Sequence, residues 1–190
     1  FTVSFCEEII KENLKIEFLI ETHLKNLDDE LIKLLKLAGL KMVYVGVESS
    51  SSNVLKGINR FTVDNDQQYQ TIKKLKENGI IIKSMFMLAN PDDDISTIKE
   101  TIEYSKFLPN QLVQFSVFTP YPGTPAYNDF KDKIIVQDYE KYNQYNLVYK
   151  HKSINNNILL KLKNLGYRKF YFNIRNFFVV FLSLTSFFRK

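Results

Sequence analysis

Four times along this chain a short apolar run of strand type gives way to a stretch of helical periodicity, with only a few residues between them. Phe5, Ile9, Ile10 and Leu14 recur at helical spacing before KIEFLIE (15–21) changes to a β-type run. Asp28 then reads as an N-cap, Leu31, Leu34, Leu35 and Ala38 as one apolar face, and Gly39 as the stop. MVYVGV (42–47) is a second strand, and its unbroken apolar character predicts burial on both faces. A turn of helix over Asn53 to Asn59 follows, and Thr62 is placed to cap a longer helix with Tyr69, Ile72 and Leu75 inward and Gly79 at its end. The third strand is IIIKSMFML (80–88), NPDDD turns into a helix carrying Ile95, Ile98 and Ile102, and Pro109 ends that helix near residue 108. LVQFSVF (112–118) is the fourth strand and runs into the proline-stiffened TPYPGTP.

Such alternation predicts parallel strands joined by right-handed crossovers, so the fold class is α/β, an open sheet or a barrel. In either architecture chemistry gathers where strands end, here Glu21 to His23, Gly46 to Ser52, Leu88 to Asp94 and Thr119 to Tyr127. The 190 residues, 45% of them apolar, suffice for one domain with a real core. The composition divides at about residue 130: residues 1–130 carry the alternation, and 131–190 form a basic, phenylalanine-rich extension expected to be mostly helical. The net charge of +5 is concentrated there. A solvated lysine surface accounts for that charge, whereas a helix at a membrane interface or one packed on another part of the protein accounts for the apolar stretch 158–190.

The single cysteine, Cys6, excludes an internal disulfide and a cysteine-only metal site, and suits a reducing, cytoplasmic setting. No nucleic-acid module is recognisable. The opening, FTVSFCEEIIKENL, has neither an initiating methionine nor a signal sequence, which leads us to expect a C-terminal piece of a longer protein.

Glu48 ends a predicted strand, where a carboxylate accepts hydrogen bonds from vicinal hydroxyls or, equally well, complements the dipole of the next helix. Of Ser49 to Ser52, at least one serves as an N-cap and the others are small enough to let a ligand approach. Arg60 returns past one turn of helix, either to hold a carboxylate or to lie solvated. Glu21 and His23 are polar residues at the first strand end; Met85 and Met87 read as core. PDDD (91–94) reads as a helix start, and the main chain of YPGTP as a rigid edge for a flat base.

The order GVESSSSNVLKGINR, a strand ending MLANPDDD, then FTPYPGTPAY resembles the latter part of the radical S-adenosylmethionine core, in the subgroup often fused to a cobalamin-binding domain. The resemblance covers about residues 1–130, and GYRKFYFNIRNFF is similar to the C-terminal region of such proteins. It implies a partial (β/α) barrel, with about four units in this chain. It also implies S-adenosylmethionine bound to a [4Fe-4S] cluster held by a CxxxCxxC loop, one electron from which yields a 5′-deoxyadenosyl radical. The sequence has one cysteine, so the cluster ligands lie outside it and the fragment alone is expected to be inactive. By the same resemblance Glu48 and Ser49 lie near the ribose, Arg60 holds the methionine carboxylate, and Glu21 is on a site-forming strand. The main chain at Leu88 to Asn90, including Ala89, and at Thr119 to Tyr121 borders the adenine. Three positions depart from the usual pattern: Ser50 and Ala89 replace glycines, and His23 replaces an arginine.

The expected partners are a small-molecule or lipid-like substrate and the missing N-terminal part, with peripheral membrane contact through 158–190. The expected reaction is cobalamin-associated methyl transfer or a related carbon-centred step, with cobalamin itself left open. The alternative is a cluster-free binding or membrane-associated scaffold.

Overall fold

A computed structural model describes residues 1–58 and 63–173. After helix α1 (Thr2–Lys11) come β1 (Phe18–His23), α2 (Asp29–Ala38), β2 (Leu40–Glu48), α3 (Ser52–Gly57), α4 (Asn65–Glu77), β3 (Ile81–Leu88), α5 (Ile95–Phe107) and β4 (Leu112–Val117). A short α6 (Pro125–Phe130), the terminal α7 (Asn156–Tyr171) and 3-10 helices at Leu24–Asn26, Lys131–Lys133 and Tyr139–Lys141 complete the described elements. The strands form one parallel sheet in the order β1-β2-β3-β4, as sequential right-handed crossovers require. The same rule puts the crossover helices on a single face.

Register separates the two faces. Val43, Val45, Ile82, Phe86, Val113 and Phe115 point into the helix-covered core and are buried. The register rows Glu21–Tyr44–Lys83–Leu112 and His23–Gly46–Met85–Gln114 point the other way, and their exposed or half-buried side chains form an open face. The expectation that β2 is buried on both faces is therefore corrected. Tyr44 is only half-buried because no helix covers that side, and the Lys83 ammonium lies 4.4 Å from its ring centroid.

Local chemistry sets most boundaries. The Asp28 carboxylate accepts from Leu31 N, and Gly39 adopts the left-handed φ of 111° that ends α2. β1 starts later than expected because α1 runs into a turn at left-handed Asn13 and pairing begins where Phe18 N donates to Gly39 O. α4 is capped by Asp64, whose carboxylate accepts from Gln67 N. The predicted cap, Thr62, lies outside the described residues.

The extension carries the expected helix, α7, after a segment of short turns. Residues 131–155 hold two short 3-10 helices, Lys131–Lys133 and Tyr139–Lys141, with turns and one antiparallel bridge, Ile134 to Tyr149. α7 packs on α5 and β4 through Leu159, Leu162 and Phe170, so the apolar face at 158–171 is spent on this chain's own core. Residues 174–190 lie outside the described set, and among the described residues no helix is long and apolar enough to cross a membrane. The outer edge of β4 is closed: the main-chain N–H groups of Val113, Phe115 and Val117 donate to the Tyr171 hydroxyl, the Tyr167 hydroxyl and the Gln144 carbonyl.

Candidate active-site cleft

Glu48 is the last residue of β2, and a bulge there pairs Gly46 with Met85 but Glu48 with Phe86. The extra residue turns the chain into a left-handed conformation at Glu48, φ 67°, which side chains rarely adopt. The carboxylate lies back over Gly46: a Cβ built at Gly46 would stand 3.0 Å from Glu48 Oε1 and 3.9 Å from His23 Nδ1. Glycine there leaves room for an acidic group above the open face.

The serine row divides its work. Ser49 and Ser50 hydroxyls both lie 3.2 Å from Thr101 Oγ1 on α5, and Ser50 N donates to the same oxygen. Ser51 N donates to Ser49 Oγ, while the Ser51 hydroxyl caps α3 by accepting from Val54 N. Ser49 is fully buried in this anchor, so it fixes the strand exit and does not line the cleft.

At the strand ends a cleft of about 390 Å3 opens on the uncovered face. It brings together Glu21, Glu48 and Tyr121, three of the residues selected from sequence. Met85 and Met87, expected to be core, form its floor with Gln114 and Ser116. Thr119 and Thr124 come from the turn after β4, and Gln144 comes from the extension. Ala89 is not a cleft residue: it is buried, has a left-handed φ of 55°, and its carbonyl accepts from the Tyr149 hydroxyl at 2.8 Å. Arg60 lies outside the described residues.

Behind the cleft, the loop after β3 is fastened by the extension. Asn90 O accepts from His151 Nε2 at 2.8 Å, Asp92 Oδ1 accepts from Lys152, and the Asp93 carbonyl accepts from the Ser153 hydroxyl. His151 Nδ1 accepts the main-chain N–H groups of Ser153 and Ile154, which leaves the proton on Nε2 and the ring neutral. Burial pushes the His151 pKa down and the Asp93 pKa up. The sequence reading of PDDD as a helix start holds for Asp94, which forms a capping box with Thr97, and misses Asp93, whose buried carboxylate accepts from Asn90 and Thr97. Tyr149 links both loops that flank the cleft, because its ring packs edge-on against Phe118 and Phe130.

With both nitrogens engaged, His151 is closed to metal binding. No group of three or more His, Cys, Asp or Glu suited to a metal occurs among the described residues, and Cys6 is buried in the core.

A family model described as the radical SAM superfamily matches residues 2–105. The anaerobic magnesium-protoporphyrin IX monomethyl ester cyclase of Rubrivivax gelatinosus is 29% identical over 173 residues, 90% of this chain and 31% of that protein. The bacteriochlorophyllide d C-8(2)-methyltransferase of Chlorobaculum tepidum is 30% identical over 126 residues, 65% of this chain and 28% of that protein. The chain thus spans less than a third of the length of these relatives. Among solved structures, the radical S-adenosylmethionine methyltransferase TsrM from Kitasatospora setae, with cobalamin and a [4Fe-4S] cluster bound, superposes with a TM-score of 0.63. The identity is 17%, covering 68% of this chain and 27% of that one, so the likeness is one of fold.

Proposed function

The chain belongs to the radical SAM superfamily, and from that premise we propose that it is the C-terminal part of the barrel of a [4Fe-4S]-dependent methyltransferase or cyclase. Its part is to supply one wall of the S-adenosylmethionine pocket. The observation that carries this reading is the convergence of Glu21, Glu48 and Tyr121 on one cleft at the strand ends. At about 390 Å3 the cleft falls within the rough 300–1,000 Å3 range of small-molecule sites.

The residues fit a nucleoside. The Glu48 carboxylate, folded over Gly46, accepts from a pair of ribose hydroxyls, and the turn at Thr119 to Tyr121 offers a flat wall to the base. Ser49 acts indirectly, by anchoring the exit of β2 to α5. Arg60 is retained from sequence as the partner of the methionine carboxylate. S-adenosylmethionine supplies, when bound, an activated sulfonium carbon; the residues of this chain hold and orient it.

The fit does not extend to the cluster. One buried cysteine cannot provide three ligands, so we assign no cluster ligand to this chain and regard it as inactive by itself. Cobalamin and a small-molecule or lipid-like substrate belong, in this reading, to a longer parent protein.

Isothermal titration of S-adenosylhomocysteine into the 190-residue chain tests the pocket. Saturable binding is expected, weakened about tenfold or more in Glu48→Gln, in line with the loss of a charged hydrogen-bond acceptor. No binding by the wild-type chain, or equal binding by the variant, would refute the assignment.

A further inference from the structure

Among the described residues, side chains outside glycine take a left-handed φ at Asn13, Glu48, Ala89 and Gln144. Two of these, Glu48 at the end of β2 and Gln144 beside the outer edge of β4, line the same cleft. Such strain persists where the surroundings enforce it, and it concentrates at working sites.

Gln144 (φ 64°) is enforced from three directions. Its carbonyl accepts from Val117 N at 2.8 Å, the last outward N–H of β4. Asn143 Oδ1 accepts from Tyr145 N and from Asn146 Nδ2, closing the turn around it. Beyond that turn, Tyr149 ties the segment to Ala89, Phe118 and Phe130. The main chain at Gln144 is therefore held beside the cleft whatever its side chain does, and an uncharged amide stands where glycine would be less strained.

The polar groups on this side of the cleft are mostly spent. The Ser116, Thr119 and Thr124 hydroxyls donate to the carbonyls of Phe86, Val117 and Tyr121. The Gln144 carboxamide has no hydrogen-bond partner among the described residues, and it is exposed at the level of Val117, next to the Thr119 turn. A carboxamide carries two donor hydrogens and one acceptor oxygen on one plane, the pattern that matches the donor–acceptor edge of an aminopurine.

We infer that Gln144, contributed by the extension, is a ligand-binding residue of the cleft whose carboxamide hydrogen-bonds the edge of the adenine base. This rests on reading the cleft as a nucleoside pocket, with Glu48 at the ribose end.

The test compares 5′-methylthioadenosine with its 6-deamino analogue, the 5′-methylthio purine riboside, which lacks the six-amino donor and keeps the adjacent ring nitrogen as acceptor, a loss that a turned-over carboxamide cannot make good. Binding to the full chain is measured for the wild type, Gln144→Gly and Glu48→Gln. The wild type should prefer the adenine ligand by about tenfold or more, the discrimination typical of a paired base edge. Gln144→Gly should abolish that preference while its thermal midpoint stays equal or rises, because the left-handed backbone is retained without a Cβ. Glu48→Gln should weaken both ligands alike and keep the preference. A Gln144→Gly protein that still prefers the adenine ligand, or a wild type without preference, overturns the inference and leaves the pocket intact. A wild type that binds neither ligand overturns the pocket and the inference together.

Discussion

His151 shows how one side chain couples the extension to the cleft. Its Nε2 donates to Asn90 O, and its Nδ1 accepts two main-chain N–H groups, so protonating the ring breaks the acceptor side of that arrangement. Burial, the largest influence, lowers its pKa from 6.5; Lys152 adds to that, while the Asn90 carbonyl, Asp93 and Asp92 oppose it. A histidine depressed in the folded state binds fewer protons there than in the unfolded chain. Its contribution is therefore complete above about pH 6.5 and is lost as the pH falls below it. Asp93 has the opposite sign: burial raises its pKa above 3.8, so acidification through that raised value favours the folded state. Between about pH 7.5 and about pH 5.5 the thermal midpoint should fall, and His151→Gln, which keeps a donor for Asn90 O, should flatten the fall. An unchanged slope in the variant would assign the loss to another group. At this scale the sequence is uneven. Glu48 is legible because it interrupts an apolar strand, but the left-handed φ that turns it over Gly46 is not, since it depends on the bulge against β3. Nothing around His151 marks it, because its partner is 61 residues away.

At the scale of elements, α7 docks closely on β4 at Gly166. A Cβ there would lie 2.8 Å from Phe115 Cε2 and 3.0 Å from Cζ, and that ring is held by Phe86 and Tyr167. Two effects compete in Gly166→Ala. Helix propensity favours alanine by about 1 kcal/mol, whereas overpacking a filled core costs typically 1–3 kcal/mol. The ring cannot retreat without disturbing Phe86, so the overpacking should win, with a net loss of up to about 2 kcal/mol in urea denaturation. A gain of about 1 kcal/mol would mean that α7 sits less closely on the sheet than the geometry has it. The helices themselves are readable where capping is local, as at Asp28 and Gly39, because the signal and its effect lie within one turn. The closure of β4 is not readable. Tyr167 and Tyr171 look like two more aromatics on an apolar helix, and their hydroxyls acquire meaning only beside the unpaired N–H groups of Val113 and Phe115.

For the whole molecule, composition draws a boundary near residue 130 that the core ignores. Leu147, Tyr149, Ile154, Leu159, Leu162 and Phe170 belong to the same buried cluster as the strands, and the segment between them supplies Gln144 to the cleft. The polar, lysine-rich composition of 131–157 reflects a chain that lies on the surface while inserting single side chains, a pattern that average hydropathy conceals. Burying each of the larger side chains contributes about 1.5–3 kcal/mol, and a domain is stable by only about 5–15 kcal/mol in all. Ending the chain at Phe130 removes those side chains together, and it strips the outer edge of β4 of the acceptors for Val113, Phe115 and Val117. The shortened chain should therefore lose cooperative thermal unfolding by calorimetry and expose apolar surface to dye binding, while the full chain unfolds in one transition. If residues 1–130 instead unfold cooperatively at the full-length midpoint, the extension is a separate unit, and the wall that it lends to the cleft is dispensable to the fold.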